Sequence, residues 1–421
     1  MKAIKGNIIF TILPQKFEVF ENSYLLIENG KVKSIERHLN EESFDYEIID
    51  YKDNLIIPSF VDLHLHAVQY ANIGIGMDLP LLPWLEKYTY PEEQKFGNLE
   101  YAKKVFKFLI RDLYDFGTLR SCIFSSLHKD ATILLMKMMD ERGLSAYIGK
   151  TNMDRNSNEN LFENTRDSLK WTIDILDEIP KFSSRIRPII TPRFIPSCSD
   201  ELLIKLGQIA EDRDIAVQSH LNENLSEIEW VRKLVPESKN YLDAYDIRGL
   251  VRRLNTIMAH AIYNTDDELE LMKKESVFIA HCPSSNMNLT SGIMKAKKML
   301  EMGINIGLGS DISAGDSLKM NDIIVDAIKA SKLLSLFTHD ESDTLSIEEA
   351  FYMSTRGGGK FFGNCGSFEY GSFFDALVID DSSYNLKPDA SITERLEMFI
   401  YRGDDRNIID RYLEGRSLKT E

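Results

Sequence analysis

The chain has 421 residues, 43% hydrophobic and 28% charged, the composition of a globular protein rather than a disordered or fibrous one. Fifty Lys and Arg against sixty-six Asp and Glu leave a formal charge of −16, and with no local basic stripe this argues against a nucleic-acid partner. Cys122, Cys198, Cys282 and Cys365 form no Cys-x-x-Cys pair, residues 8–13 are too short a run for a signal peptide, and no stretch reaches the ~18 apolar residues that cross a bilayer, so a reducing cytoplasm and no membrane association are expected.

The first sixty residues read as β structure, because Tyr24-Leu-Leu-Ile-Glu and Lys31-Val-Lys-Ser-Ile flank Asn29-Gly30, a dipeptide that favours a type I′ hairpin. From residue 56 onward, short apolar strands alternate with amphipathic helical stretches, the pattern of βα units. Strands are predicted at 56–66, 118–125, 145–150, 187–194, 215–220, 256–262, 277–281 and 304–310. A helix is predicted at 98–116, with Asn98 as N-cap and Gly117 as its stop, and others start at Asp200, Thr265 and Ser291. Eight strands over about 250 residues is the count of a closed (β/α)8 barrel, with a doubly wound open sheet as the competitor. Helices at 317–336 and 346–362 follow, and the run Gly371-Ser-Phe-Phe-Asp-Ala-Leu-Val-Ile-Asp returns to strand character, so the tail is expected to rejoin the N-terminal sheet. The Gly357-Gly358-Gly359 run lacks the Lys-Ser/Thr continuation of a phosphate loop and reads as a helix end. The expected fold class is therefore α/β, a TIM-type barrel over 58–365 with a small β-sandwich built from 1–57 and 366–421.

Eight histidines occur. His64 and His66 stand two apart at the end of the first barrel strand, which puts both imidazoles on one face. In a barrel that face points inward at the C-terminal mouth, where two neutral imidazoles make a metal pocket. Alone, such a pair is more often solvated or satisfied in a core. His220, His260, His281 and Asp311 shift that balance, because each follows an apolar strand. His64, His66, His220 and Asp311 together offer three nitrogens and one oxygen, suited to Zn2+ or Fe2+ with room for a water. His38, His128 and His339 stand in polar or helical contexts and read as surface. Glu223 has two readings: a general base three residues past a ligand, or an acidic charge at the start of a helix over 224–235.

Pro58-Ser-Phe-Val-Asp-Leu-His-Leu-His, with the later histidines and Asp311, resembles the amidohydrolase superfamily of metal-dependent barrel hydrolases. Within it the chain is similar to the guanine deaminases, through His66-Ala-Val-Gln-Tyr, Met77-Asp-Leu-Pro-Leu-Leu-Pro-Trp-Leu-Glu-Lys-Tyr-Thr-Tyr-Pro-Glu, Thr191-Pro-Arg-Phe and Ser219-His-Leu-Asn-Glu-Asn, continued by His281-Cys-Pro-Ser-Ser-Asn and Gly307-Leu-Gly-Ser-Asp-Ile. The likeness runs through most of the chain, and the Leu-Pro-Trp-Leu-Glu-Lys-Tyr loop is far more specific than the metal motif. Ser59 replaces a usual glycine and Val68 a usual proline, which removes no functional group.

The resemblance implies one Zn2+ per chain, Fe2+ fitting the same donors, on His64, His66, His220 and Asp311. Binuclear relatives need a carboxylated lysine on the fourth strand, and 187–194 has no lysine. It implies a cytoplasmic homodimer that hydrolyses guanine to xanthine and ammonia, with Glu223 as proton shuttle and His260 and Asp311 assisting. Gln69, Trp84, Arg193, Phe194, His220 and Glu223 are implied to contact the base. Trp84 and Tyr88 read either as part of a closing loop or as an aromatic pair packed at helical spacing four. Two other readings stay open: a deaminase or chlorohydrolase of cytosine, a triazine or an adenosine-like nucleoside, with different contacts at Arg193 and Gln69; and an inactive barrel scaffold, against which the intact ligand set speaks.

Overall fold

The computed structural model describes residues 1–39, 45–156, 161–384, 387 and 389–419. The chain opens with β1 (Lys2–Thr11), β2 (Phe17–Glu28), β3 (Lys31–Glu36) and β4 (Glu47–Pro58). Asn29 and Gly30 both take positive φ, 53° and 77°, as the predicted I′ turn requires, and Glu28 pairs with Lys31 across it. Glycine is obligatory there for a second reason: a Cβ on Gly30 would lie 2.5 Å from the Glu414 carbonyl.

The barrel follows as β5 (Phe60–His66), β6 (Thr118–Phe124), β7 (Ser145–Gly149), the short β8 (Thr151–Asn152), β9 (Ile186–Pro192), β10 (Ala216–Leu221), β11 (Thr256–His260), β12 (Phe278–His281) and β13 (Asn305–Leu308). The hydrogen-bonded order is β13-β12-β11-β10-β9-β7-β6-β5, all parallel, with β8 paired to β9. Strands β5, β6, β10, β11 and β12 are buried along their whole length, as strands of a parallel sheet covered on both faces are, and the polar residues they carry, such as Asp62, Arg120 and Gln218, are buried with them. The ring is drawn together past the end of β13, where Asp311 N–H donates to the His64 carbonyl at 2.8 Å and His66 N–H to the Ile312 carbonyl at 3.1 Å.

The tail returns as expected. β14 (Ala376–Ile379) lies antiparallel to β4, and β15 (Ile408–Leu413) and β16 (Arg416–Ser417) complete a seven-stranded sheet ordered β16-β15-β14-β4-β1-β2-β3. Arg120 near the start of β6 ties this sheet to the end of the barrel opposite the mouth. It is 1% exposed and donates to Asp375 Oδ2 at 2.7 Å and to Ser145 Oγ at 2.9 Å.

Several helix boundaries follow their caps. The Asn98 side chain accepts from the amides of Glu100 and Tyr101 at the start of Leu99–Asp115, Ser199 caps Asp200–Asp212, and Thr265 forms a capping box with Glu268 ahead of Asp266–Lys274. Others depart from expectation. The helix expected from Ser291 begins at Ala296, because the chain has already made a helix, Pro283–Asn288, with proline at its first position. The two late helices keep nearly their expected bounds, Met320–Thr338 and Ile347–Tyr352, the second running on through a π turn at Met353–Gly357 and ending in a 3-10 turn at Lys360–Phe362. Strand β9 stops at Pro192, so Arg193 and Phe194 project beyond it. His38 and His339 are exposed as expected, but His128 is half-buried. Among the described residues no helix is long and apolar enough to cross a membrane.

Candidate active site

His64 and His66 from β5, His220 from β10 and Asp311 after β13 converge at the mouth, all buried, with donor atoms within 4.8 Å of one another. His64 Nε2 lies 3.1 Å and His66 Nε2 3.4 Å from Asp311 Oδ1, and His66 Nε2 lies 3.1 Å from His220 Nε2. His220 Nδ1–H donates to the Arg193 carbonyl at 2.6 Å, so the neutral ring turns its Nε2 lone pair inward. Burial lowers the pKa of His64 and drives those of His66 and His220 well below the ordinary value, which keeps the rings neutral. Burial opposes the charge on Asp311, yet the facing imidazoles, His64 foremost, hold that carboxyl far below the usual range.

Three buried imidazoles crowded on one carboxylate, with the His220 lone pair turned inward, fit a divalent cation better than any protein hydrogen-bond network. Two residues of the mouth, His260 (φ 71°) and Asp311 (φ 48°), occupy the left-handed region, which costs on the order of 1–3 kcal/mol each for a side-chain-bearing residue.

Glu223 is not the helix charge. Asn224 caps Leu225–Leu234 and Glu227 completes the capping box, so the first-turn acid is Glu227 and Glu223 stands one residue ahead of the cap. Its carboxylate faces His260 Nε2 at 3.4 Å and accepts from Ser291 Oγ at 3.3 Å, and burial raises its pKa to about 7. His260 is oriented by its Nδ1–H, which donates to Asn286 Oδ1 at 2.8 Å. Behind the donors, buried Asp62 accepts from Ser310 Oγ at 2.5 Å and from the His64 amide at 3.0 Å. His281 ends β12 outside the cavity, where burial lowers its pKa to about 3.

The cavity runs from His66, His220, Glu223, His260 and Asp311 to Gln69, Arg193 and Phe194, between apolar walls that include Trp84, Leu81, Leu85 and Leu289. His64 holds its place in the donor set without lining the cavity. Trp84 belongs to a continuous helical run, Leu81–Trp84, a π turn Leu85–Thr89, Tyr90–Glu93 and Gln94–Gly97, and its indole N–H donates to the Ile75 carbonyl at 3.0 Å. π turns concentrate at functional sites. Tyr88 does not line the cavity and packs over Gly76, so of the aromatic pair only Trp84 reaches it.

At the far end Arg193 and Gln69 are already engaged. Arg193 Nη1 donates to Glu93 Oε2 at 2.7 Å, Gln69 Nε2 donates to Glu93 Oε1 at 2.9 Å, and Gln69 Oε1 accepts from the Ser313 amide at 3.3 Å. Burial works against the Arg193 charge, and Glu93 more than offsets it, leaving the guanidinium pKa raised. Sequence reasoning missed Glu93, which lies one position beyond the quoted loop motif. Asn286 stood within a quoted motif without a role, and Ser291 and Asp62 carried no signal of their own.

The chain matches the amidohydrolase family over residues 55–418. It is 37% identical over 447 residues to a guanine deaminase of Dictyostelium discoideum, covering 100% of this chain and 98% of the relative. A 5'-deoxyadenosine deaminase of Methanocaldococcus jannaschii is 30% identical over 382 residues, covering 88% and 86%. A crystal structure of guanine deaminase from C. acetobutylicum with guanine bound in its active site superposes with a TM-score of 0.96 at 48% identity, covering 99% of each chain.

Proposed function

The chain belongs to the amidohydrolase family, and from that premise we propose that it is a guanine deaminase, converting guanine and water to xanthine and ammonia. The carrying observation is the two-ended cavity: a buried N3O donor set beside a carboxyl whose pKa is near 7, opposite a pole built of N–H donors. The relatives named above support the base over other heterocycles. The 5'-deoxyadenosine deaminase relative is the reason to test adenine nucleosides alongside it.

We assign His64, His66, His220 and Asp311 to one Zn2+, with Fe2+ suited to the same donors. When bound, such a cation supplies a Lewis acid that lowers the pKa of water to ~7. Glu223 takes the proton of the attacking water and delivers it to the ring nitrogen beside the amine-bearing carbon, as a C–O bond forms there. His260 hydrogen-bonds the incoming oxygen, and Asp311 helps to protonate the departing amine as the C–N bond breaks. Arg193 and Gln69 donate to the carbonyl edge of guanine, Phe194 covers its face, and Trp84 walls the cavity against water.

The reading includes a cytoplasmic homodimer and a division into a barrel at 58–365 and a small β unit from 1–57 and 366–421, supported by the change of sheet between Pro58 and Phe60. The test is ammonia release from guanine, adenine, cytosine, a triazine and 5'-deoxyadenosine by metal-loaded protein. Turnover of guanine alone is expected, and turnover of another member of the panel without guanine overturns the assignment.

A further inference from the structure

Arg193 and Gln69 come from different strand ends, and a third segment, the helical run over the cavity, supplies the acid that joins them. Glu93 is 5% exposed and Arg193 4% exposed, and each carboxylate oxygen of Glu93 accepts one of the two hydrogen bonds. The pair also leaves the reading end with no net charge. We propose that Glu93 is a positioning residue that keeps the base-reading end electrically neutral, so that the site takes a neutral purine and lets go of the product's anion. This rests on the guanine reading above.

The chemistry of the product gives the proposal its force. Deamination replaces the amidine carbon of the ring with a second carbonyl and so creates an imide, whose N–H is flanked by two carbonyls that share the charge when the proton leaves. The product is thus a stronger acid than the substrate. A buried guanidinium without a counter-charge would hold that anion through paired N–H donors and slow its release. Glu93 removes the charge and leaves donor geometry alone, which still fits a neutral carbonyl. Other ionisable groups face the pair. Tyr90, from the same run, lies with its ring 5.2 Å from the Arg193 guanidinium, and burial pushes its phenol above the ordinary value. Across the cavity Asp311 favours the Arg193 charge, and that charge adds to the lowering of the His66 pKa.

The experiment measures kcat and KM for guanine, and the competitive inhibition constant of xanthine from pH 6 to 9, for the parent, Glu93→Gln and Glu93→Asp, each checked for metal content. In the parent, xanthine should inhibit more weakly as pH rises and it ionises. Glu93→Gln should raise KM about tenfold, more than it lowers kcat, and should reverse the trend, so that xanthine binds more tightly at high pH. Glu93→Asp keeps the charge while withdrawing it from both donors, so KM should rise with the parental pH trend intact. A parental KM and pH trend in Glu93→Gln overturns the proposal. If that variant does not fold, a Glu93→Asp enzyme with unchanged KM, or with a reversed trend, overturns it. Should the parent release no ammonia from guanine, the functional reading fails separately, and direct xanthine binding by calorimetry carries the same comparison; no binding at any pH overturns the inference.

Discussion

The two ends of the cavity are built on opposite plans. The donor end is made by strands: His66 and His260 are the last residues of theirs, His220 stands one residue before the end of its own, Asp311 follows three residues after β13, and neighbouring amides such as Asp311 N–H lock the strand ends to one another. The reading end is made by connections. Gln69, Glu93 and Arg193 lie in three segments between strands, and what fixes them is a buried carboxylate rather than a sheet. On the proposed roles, the contrast teaches that chemistry common to a family sits on its rigid scaffold, while the contacts assigned to the base sit on loops joined by a few polar links.

Removing the metal should break the donor end completely. A chelated enzyme, or the His66→Ala variant, is expected to show no ammonia release above background, with Zn2+ restoring the former and elemental analysis of the parent giving one ion per chain. Glu223→Gln should lower kcat by ~10²–10⁴-fold with metal retained, because the amide keeps the shape and cannot shuttle a proton. A normal kcat there would transfer the proton to Asp311. At the reading end the effects are smaller and appear in kcat/KM. Arg193→Ala should cost ~1.5–3 kcal/mol, the range for hydrogen bonds to charged groups, without changing metal content, and its melting temperature should fall because Glu93 is left buried without its cation. Smallest of all, Trp84→Phe removes the indole donor to Ile75 and keeps the apolar wall, so thermal unfolding should register a loss of ~0.5–1.5 kcal/mol while kcat stays near parental.

The same contrast explains what could be read from the sequence. The donor set was legible because a barrel places each strand end at one mouth, so His64, His66, His220 and Asp311 announce themselves by position within apolar runs. The capping residues Asn98 and Thr265 were equally local and equally legible. Glu93 was not, because its partner Arg193 lies 100 residues away and nothing near Pro91 distinguishes a paired acid from a helix-surface one. The helix begun at Pro283 was hidden by the serines and asparagines around it, residues that favour turns unless packing holds them. The charge of Glu223 was ambiguous until the cap at Asn224 showed that Glu227 fills the first-turn position.

The terminal sheet bears on how the chain is made. Strand β4 presents Leu55, Ile56 and Ile57, each fully buried, and their antiparallel partners are Ile379, Val378 and Leu377 of β14. A ribosome delivers β14 roughly 320 residues after β4, which at ~5–20 residues per second means about 15–60 s with that edge unpaired. During that interval an apolar strand edge is open to any other nascent or unfolded chain. Burden on chaperones should therefore concentrate on this edge, and a chain stopped before Ala376 should aggregate from its small sheet rather than from its barrel.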